Sequence, residues 1–437
     1  MSTKLFSKQN NRSSGLAERI FIVIIGIIIF RFGVYIPIPY IDPNQLKAII
    51  AGQSIDVSGL LGVFNIFSGG ALEQLSIFAL GIMPYVSSSI IFQMMSSVSP
   101  KLIEIKKQGD SGRKIITQYT RYFAFFLALT QSFGIALYVF KQPFLVLTDI
   151  KYLFYCTTIL SISSGSMILM WIGEQMTEKG IGNGLSLLIF SGIVANLPYE
   201  IGKIILQANQ GLISYFKVWI LLLIYFVVIL FVVFIERAQR HIPISYAKRQ
   251  QGRKMVIPQS SHLPIKLNMS GVIPPIFASS ILTVPVMAAN CFFSSLHWLQ
   301  NISTLLQPGT FLYTIIFAFG IIFFCFFYTS LVFDPKETAE NLKKSGAFIS
   351  GVRPGGQTAK YIKFISDKLT VIGALYITSI CLLPIFIMNF FGYELLSSFG
   401  GTSLLIVVVV IMDFVSQIQS HLMSTQYDTL LRKANLT

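Results

Sequence analysis

Ionisable side chains, which carry much of the chemistry that proteins perform, are scarce in the long apolar stretches of this chain. Those stretches contain Arg31 late in the first, Arg121 near the start of the third and Asp413 in the last. A proton- or ion-coupled transporter usually needs carboxylates near the membrane midplane, where charge is costly and is kept for function. Asp413 is the one candidate of this kind in the sequence, and its isolation favours a packing or interfacial role.

Catalysis and metal binding are also disfavoured. The histidines stand in connections or at a span end, and none is spaced with a serine, cysteine or carboxylate as a catalytic site requires. The cysteines lie in or beside apolar segments without metal-ligand spacing, which indicates small core residues. We therefore expect no enzyme activity, no cofactor and no metal site. The residues concerned are His241, His262, His297, His421, Cys156, Cys291, Cys325 and Cys381.

The composition indicates an integral membrane protein. Of the 437 residues 54% are hydrophobic and 12% are charged, whereas a soluble chain carries about 25% charged residues. The N-terminus lacks the order of a signal peptide, so we expect the first span to stay in the mature protein. Ten stretches are long and apolar enough to cross a bilayer. They cover residues 20–39, 75–97, 119–140, 153–173, 181–201, 215–235, 270–292, 311–333, 369–391 and 401–421.

Lysine and arginine are concentrated at the N-terminus and in every second connection, which predicts that both termini face the cytoplasm. The net charge of +15 follows from this topology and does not by itself indicate nucleic acid. Two long basic connections, 236–269 and 334–368, would be cytoplasmic, and the long connection 41–74 would face outward. The count of five spans on each side of residues 202–214 allows an inverted repeat with halves 1–205 and 206–437.

A short apolar run at residues 60–67 ends at Gly69 and Gly70 and is followed at once by a full span. Eight helical residues rise only about 12 Å, and the hydrocarbon core is roughly 30 Å thick. The run therefore predicts a re-entrant helix, which survives at membrane depth only where protein or a water-filled cavity covers it. A short surface helix outside the membrane is the alternative.

Two further patterns in the spans suggest function. Ser87, Ser88 and Ser89 follow Pro84, and small polar residues allow close helix contacts that can separate; a routine packing seam is the alternative. The pairs Ile82 with Val86, and Leu185 with Ile189, each share one helical face. Such aliphatic pairs arise constantly in apolar spans, and ordinary packing or lipid contact explains them better than a special role does.

The basic connections could bind ribosomal RNA phosphates or an acidic protein surface. Arg240, Lys248 and Arg249 lie in the first, and Arg353 lies in a GVRPGG turn in the second. Pro354 restricts Arg353 to an extended backbone, and the flanking glycines let the loop reverse tightly. The alternative is solvated charge that merely orients the protein.

Eight sequence blocks resemble the SecY family of bacterial protein-conducting channel subunits, in its proteobacterial form. They run in the family's order along nearly the whole chain. The blocks are RFGVYIPIP (31–39), LGVFNIFSGG (61–70), ALGIMPYVSSSII (79–91), GIGNGLSLLIF (180–190), YAKRQQGRK (246–254), GVIPPIFASS (271–280), GVRPGGQTAKYI (351–362) and GGTSLLIVVVVIMDF (400–414).

The resemblance implies an all-α membrane protein of ten spans, in two pseudo-symmetric halves around a central pore. The short apolar run becomes a plug of Leu60, Leu61, Val63, Phe64, Asn65, Ile66 and Phe67. The pore ring falls on Ile82, Val86, Leu185, Ile189, Ile276 and Ile406, and such an aliphatic constriction would dewet and block ions. The lateral gate between the second and seventh spans would contain Ser87, Ser88, Ser89, Ser279 and Ser280.

The resemblance also implies the function and partners. The channel would pass unfolded preproteins across the bacterial cytoplasmic membrane, recognise signal sequences and release transmembrane segments into lipid. SecE-like and SecG-like small subunits would accompany it, and the ribosome and the SecA motor would dock on Arg240, Lys248, Arg249 and Arg353. His241 and Gly356 depart from the family pattern within these docking connections. The rival classes are a secondary transporter with inverted repeats and a membrane scaffold without a pore.

Overall fold

The computed structural model describes residues 15–41, 65, 68–140, 150–211, 214–246, 250–251, 254–255, 261–292, 310–391 and 400–434. Within these ranges ten helices overlap the ten predicted spans, and two shorter helices lie in connections. The helices are α1 Gly15–Val34, α2 Met83–Val98, α3 Pro100–Lys107, α4 Asp110–Phe140, α5 Lys151–Lys179, α6 Gly184–Asn209, α7 Tyr215–Arg237, α8 Ile273–Phe292, α9 Phe311–Val332, α10 Pro335–Lys344, α11 Gly356–Phe391 and α12 Gly401–Ala434.

The membrane-spanning character is visible in how the helices expose apolar surface. In the described part of the chain seven helical segments are long and apolar enough to cross a bilayer. Helix α7 is apolar on all sides, and Phe216, Trp219 and Phe234 are largely exposed. A helix that is hydrophobic all round suits lipid rather than water. The chain is therefore a mostly helical, multi-pass membrane protein.

The second span begins later than residue 75, where the hydropathy pattern placed it, because α2 starts at Met83. Leu75 and Gly81 have φ of 42° and 55°, values that a right-handed helix excludes. Pro84 suits the first turn of α2, where its missing N–H costs nothing. Residues 68–82, which we call the turn segment, instead form successive turns.

The first helix likewise ends before residue 39. It stops at Val34, and the chain that follows it pairs with the turn segment. Ile38 N donates to Leu75 O and Ile77 N donates to Ile36 O, both at 3.0 Å. These backbone bonds join the end of the first span to the approach to the second.

The two long basic connections, which the sequence predicted only as loops, form two small sheets in the structure. The strands are β1 Gln239–Tyr246, β2 Gln250–Gln251, β3 Lys254–Met255, β4 Ser261–Lys266 and β5 Ala347–Ile349. β1 pairs antiparallel with both β4 and β5, and β2 pairs with β3. The three-stranded sheet thus joins strands from both connections.

An apolar core explains why these charged connections fold. Ile242, Ile265 and Ile349 from the three-stranded sheet are buried against Ile362 and Leu369 of α11. Helix α11 begins at Gly356, well before the predicted span at 369, so its first turns supply part of this core. Buried isoleucines that alternate along short strands are enough to order a region whose average composition is polar.

Contacts divide the chain into two units. The first comprises the described parts of Met1–Ser214, Leu282–Thr310 and Ile406–Thr437, and the second comprises Tyr215–Ile281 and Phe311–Leu405. These units are defined by contacts between residues and do not test for an internal repeat. The division into halves 1–205 and 206–437 therefore stays a prediction.

Candidate functional site

The turn segment is held between α1 and α6. Arg31 Nη1 donates to Gly69 O at 3.2 Å, and the guanidinium lies 5.7 Å from the centre of the Tyr35 ring. On the other side, a Cβ placed on Gly69 would lie 2.7 Å from the Cα of Gly192 in α6. Because Gly69 also has φ of 70°, both its conformation and its surroundings require glycine.

Asn65 forms hydrogen bonds with three residues of the turn segment. Its side-chain Oδ1 accepts a hydrogen bond from Glu73 N at 3.2 Å, and its backbone carbonyl accepts one from Gly70 N at 3.0 Å. Ser68 Oγ donates to the same carbonyl at 3.2 Å. Asn65 is buried, with 7% of its surface exposed, and both of its oxygen atoms accept hydrogen bonds from this local network.

The turn segment contains one acidic side chain that is half-buried, that of Glu73. Burial raises the pKa of the half-buried Glu73 carboxyl, while Lys203 lowers that pKa, Glu200 raises it and the Asn65 side chain lowers it. Lys203 Nζ lies 3.5 Å from Glu200 Oε1 on the same helix, α6. The position of Glu73 therefore disfavours its charged form, despite the nearby lysine.

Of the predicted plug, Asn65 is the member that the structure describes. The positions Leu60, Leu61, Val63, Phe64, Ile66 and Phe67 lie outside the described residues.

The six predicted ring residues lie at or near the beginnings of four helices. Ile82 precedes α2 and Val86 follows in its first turn; Leu185 and Ile189 begin α6. Ile276 lies in the first turn of α8 and Ile406 in the second turn of α12. Ile82, Ile189, Ile276 and Ile406 are buried, and Val86 and Leu185 are half-buried. Ile276 belongs to the second contact unit and the other five belong to the first.

The three serines of the predicted gate in α2 differ from one another. Ser88 is fully buried and its Oγ donates to Thr120 O in α4 at 2.6 Å. Ser87 and Ser89 are half-buried, and Ser89 Oγ accepts from Gln93 Nε2 at 3.1 Å. Ser88 therefore attaches α2 to α4, and its two neighbours are left for other contacts.

The remaining gate serines lie in α8. Both are buried, with 4% of Ser279 and 5% of Ser280 exposed. Their hydroxyls donate to Ile276 O, at 3.0 Å and 2.7 Å. Such bonds to the preceding turn satisfy small polar side chains inside a helix and leave a smooth surface for packing.

The predicted docking residues lie on the folded basic connections. Arg240 is exposed in β1, opposite Ile265 of β4. Arg353 is exposed in the turn between β5 and α11, and its carbonyl accepts from Thr358 Oγ1 at 2.9 Å. Lys248 and Arg249 lie outside the described residues. Of the four predicted docking residues, the structure thus places Arg240 in a strand and Arg353 in a turn.

One ion pair was not predicted from the sequence. Arg121 Nε and Nη2 donate to the two carboxylate oxygens of Glu174, at 2.9 Å and 2.7 Å, and join α4 to α5. The two residues are 53 positions apart, so no local pattern relates them. The one signal in the sequence is that Arg121 and Glu174 each lie near the end of a predicted span, and the two spans are consecutive. Over the described ranges no cluster of three or more His, Cys, Asp or Glu could hold a metal ion.

Comparisons with known proteins agree with this geometry. The SecY family model matches residues 76–415. The chain is 52% identical to protein translocase subunit SecY of Escherichia coli K12 over 425 residues, which cover 96% of this chain and 95% of that relative. It is 50% identical to the Pseudomonas aeruginosa protein of the same name over 434 residues, covering 99% and 97%.

Solved structures share the fold at low sequence identity. A protein-conducting channel superimposes with a TM-score of 0.68 at 19% identity, covering 94% of this chain and 93% of that one. Sec61 in a canine ribosome-channel complex superimposes with a TM-score of 0.64 at 17% identity and the same coverage. The family model and the near full-length sequence matches confirm the resemblance: the chain belongs to the SecY family.

Proposed function

We propose that this protein is the protein-conducting channel subunit of a bacterial Sec translocase. It passes unfolded preproteins across the membrane and releases transmembrane segments sideways into lipid. One observation carries this proposal. The chain is identical at about half of all positions to relatives that are named protein translocase subunits, and the matches cover nearly the full length of both chains. The same matches disfavour a secondary transporter with inverted repeats. The reaction class is transport, and we assign no catalytic step to the chain itself.

The channel is closed at rest by a plug and an aliphatic ring. The turn segment that follows the plug is attached to α1 through Arg31 and packs on α6 at Gly192. These contacts support a plug whose outer end is anchored. The ring of Ile82, Val86, Leu185, Ile189, Ile276 and Ile406 would exclude water and ions because a narrow aliphatic constriction dewets.

Conductance of the resting channel tests this closure. Deletion of residues 60–70 removes the plug, and Ile406→Asn wets the ring, so each should raise ion conductance across planar bilayers. Ile411→Asn, an exposed position on the same helix, is the matched control and should leave conductance unchanged. Wild-type conductance in both the deletion and the Ile406 variant, at normal expression, would contradict the pore assignment.

The lateral gate is formed by Ser87, Ser88, Ser89, Ser279 and Ser280. In support, Ser88 is bound to α4, so α2 would move together with α4 when the gate opens. Signal sequences would bind at this gate and pass through it into lipid.

The ribosome and a SecA-like motor dock on the basic connections through Arg240, Lys248, Arg249 and Arg353. The sheet and its core support this proposal, because they give the exposed Arg240 and Arg353 a fixed backbone. The solved canine relative is itself a ribosome-channel complex. SecE-like and SecG-like membrane subunits should co-purify with the chain.

The protein lies in the bacterial cytoplasmic membrane with both termini and both basic connections in the cytoplasm, as the distribution of lysine and arginine predicts. Cysteines introduced at Gly252 and Gly355 should react with an impermeant reagent from the cytoplasmic side, and one at Ser54 from outside. Labelling of Gly252 from outside would reverse the orientation.

A further inference from the structure

Two histidines lie side by side on the three-stranded sheet. His241 is in β1 and His262 is in β4, and the centres of their imidazole rings are 6.0 Å apart at an interplanar angle of 71°. Both side chains are exposed. The two residues are distant along the chain, so no spacing in the sequence relates them. Only the pairing of β1 with β4 brings the two rings together.

The register of the two strands fixes this arrangement. His241 is opposite Pro264. His262 is opposite Pro243. Opposite residues of an antiparallel pair point to the same face of the sheet, as do residues two apart on one strand. The two histidines are therefore diagonal neighbours on one face, and a shift of the register would separate them.

The backbone beneath the two imidazoles is held by packing on the other face of the sheet. Ile242, which follows His241, and Ile265 of β4 are both buried in the core that includes α11. The two histidine positions are thus fixed relative to each other before any ligand arrives. A site built on ordered strands loses little conformational entropy on binding, because only the side-chain torsions remain to be set.

A pair of exposed imidazoles suits a divalent transition metal. Imidazole nitrogen is a ligand for zinc, copper and nickel, whereas calcium and magnesium take oxygen ligands. Two imidazoles that bind one zinc ion at about 2.0–2.1 Å hold their ring centres roughly 5 Å apart. The observed separation is 6.0 Å. The rings must therefore approach by about 1 Å, and a change of side-chain torsion at an exposed position supplies such a movement.

The neighbouring side chains set how many ligands the sheet provides. Lys266 is exposed at the other diagonal position beside His241, and Gln239 is opposite that lysine. An ammonium group carries no lone pair and cannot bind a metal ion. Among the described residues no third histidine, cysteine or carboxylate joins the pair. The sheet therefore offers two protein ligands, and water completes the coordination of a bound ion.

We propose that His241 and His262 together bind a divalent transition metal ion of the zinc, copper and nickel class. Each imidazole contributes one ring nitrogen, and the remaining ligands are water molecules. The site lies on the first basic connection and uses none of the residues assigned to the pore, the gate or the docking surface. The inference therefore goes beyond the proposed transport function and stands on the sheet alone.

Copper(II) iminodiacetate tests the proposal, because this complex leaves two neighbouring coordination positions that a pair of imidazoles can fill. The full-length protein, prepared in detergent without a polyhistidine tag, is titrated with the complex. Electron spin echo envelope modulation then counts the imidazoles on each copper ion, and the wild type should show two. His241→Gln and His262→Gln should each leave at most one and weaken binding at least about tenfold, since even the loss of an outer-shell partner costs that much.

Lys266→Gln is the matched control, because it changes the other diagonal neighbour of His241 and should leave both imidazoles on the copper ion. His421→Gln, which alters a histidine outside the sheet, should also have no effect. In calorimetry, zinc chloride should bind at a site that either histidine substitution abolishes, whereas magnesium chloride should not bind there.

Three results would overturn the proposal. They are fewer than two imidazoles per copper ion in the wild type, equal affinity of the wild type and the two sheet variants, and the absence of a zinc site that depends on both His241 and His262. Unaltered melting temperatures of the variants establish that a loss of binding does not arise from unfolding.

Discussion

Arg31 and Gly69 are joined by a hydrogen bond of 3.2 Å from a guanidinium nitrogen to a backbone carbonyl. The donor lies late in α1, and the acceptor begins the turn segment that leads to α2. Gly69 also packs closely against Gly192 of α6. Three parts of the first contact unit therefore meet at a single glycine.

Arg31→Gln should loosen the turn segment, because a hydrogen bond from a charged donor contributes about 1.5–3 kcal/mol. Hydrogen–deuterium exchange of residues 68–82 should become faster, and resting ion conductance should rise. Tyr35→Phe removes only the 3.5 Å contact between the phenol and the guanidinium and serves as the control. Unchanged exchange in the Arg31 variant would show that Gly69 is held by packing alone.

Gly69→Ala should destabilise the protein more than Gly109→Ala. Both glycines have nearly the same φ, 70° and 72°, so the backbone cost of an alanine is matched at about 1–2 kcal/mol. A Cβ on Gly109 meets nothing within 4 Å, whereas one on Gly69 would clash with Gly192. We expect an additional loss of about 1–3 kcal/mol from overpacking. Thermal unfolding in detergent measures both, and equal losses would contradict the contact.

Glu73→Gln should stabilise the protein at neutral pH and have no effect in acid. The folded state raises the pKa of Glu73 above its ordinary value of 4.5, chiefly through burial. The folded state therefore holds the proton more tightly than the unfolded state, and stability falls as pH rises from 4.5 through the raised pKa. The glutamine variant lacks this loss.

Calorimetry of both proteins across this pH range checks the Glu73 prediction. Glu200→Gln offers a second comparison, because removing that charge should lower the pKa of Glu73 and reduce the pH dependence. A glutamine variant that melts below the wild type at neutral pH would show that Lys203 outweighs burial.

Glu174→Gln should cost about 1 kcal/mol, the upper end for an exposed ion pair, because it breaks a bidentate, charge-assisted contact with Arg121 that joins α4 to α5. Glu200→Gln breaks a single 3.5 Å contact with Lys203 on one helix surface, and such pairs contribute about 0.5 kcal/mol or less. Melting temperatures of the two variants at neutral pH give the comparison. If the melting temperature falls no more for Glu174→Gln than for Glu200→Gln, the pair of Arg121 and Glu174 does not stabilise the protein appreciably.

Arg353→Glu should leave stability and subunit assembly unchanged, because the side chain is exposed and the local hydrogen bond uses only its backbone carbonyl. Motor-driven secretion should fall severely, since reversed charge adds repulsion to a lost contact. Arg353→Lys should retain an intermediate rate, because lysine lacks the bidentate geometry.

ATP-dependent import of a preprotein into vesicles measures the Arg353 effect. Lys344→Glu, an equally exposed reversal on nearby α10, separates a specific contact from a general change of charge. If Arg353→Glu imports preprotein at the wild-type rate, Arg353 makes no specific contact with the motor and is only a solvated charge in a loop.

The sequence by itself determined the class of the protein and the existence of its ten spans. Each apolar stretch became a helix, including α7, because a backbone in lipid must satisfy its own hydrogen bonds. The family followed from ordered blocks of residues such as ALGIMPYVSSSII, which the comparisons confirm.

Only the tertiary structure decided where the second span begins, how the basic connections fold and which polar groups meet. Hydropathy records the cost of moving side chains into lipid and carries no information about partners distant in sequence. Arg31 is 38 positions from Gly69, and Ser88 is 32 positions from Thr120. Ile242 and Ile265 become a core only when β1 pairs with β4 in one register. Such contacts depend on three-dimensional proximity, which local residue patterns do not specify.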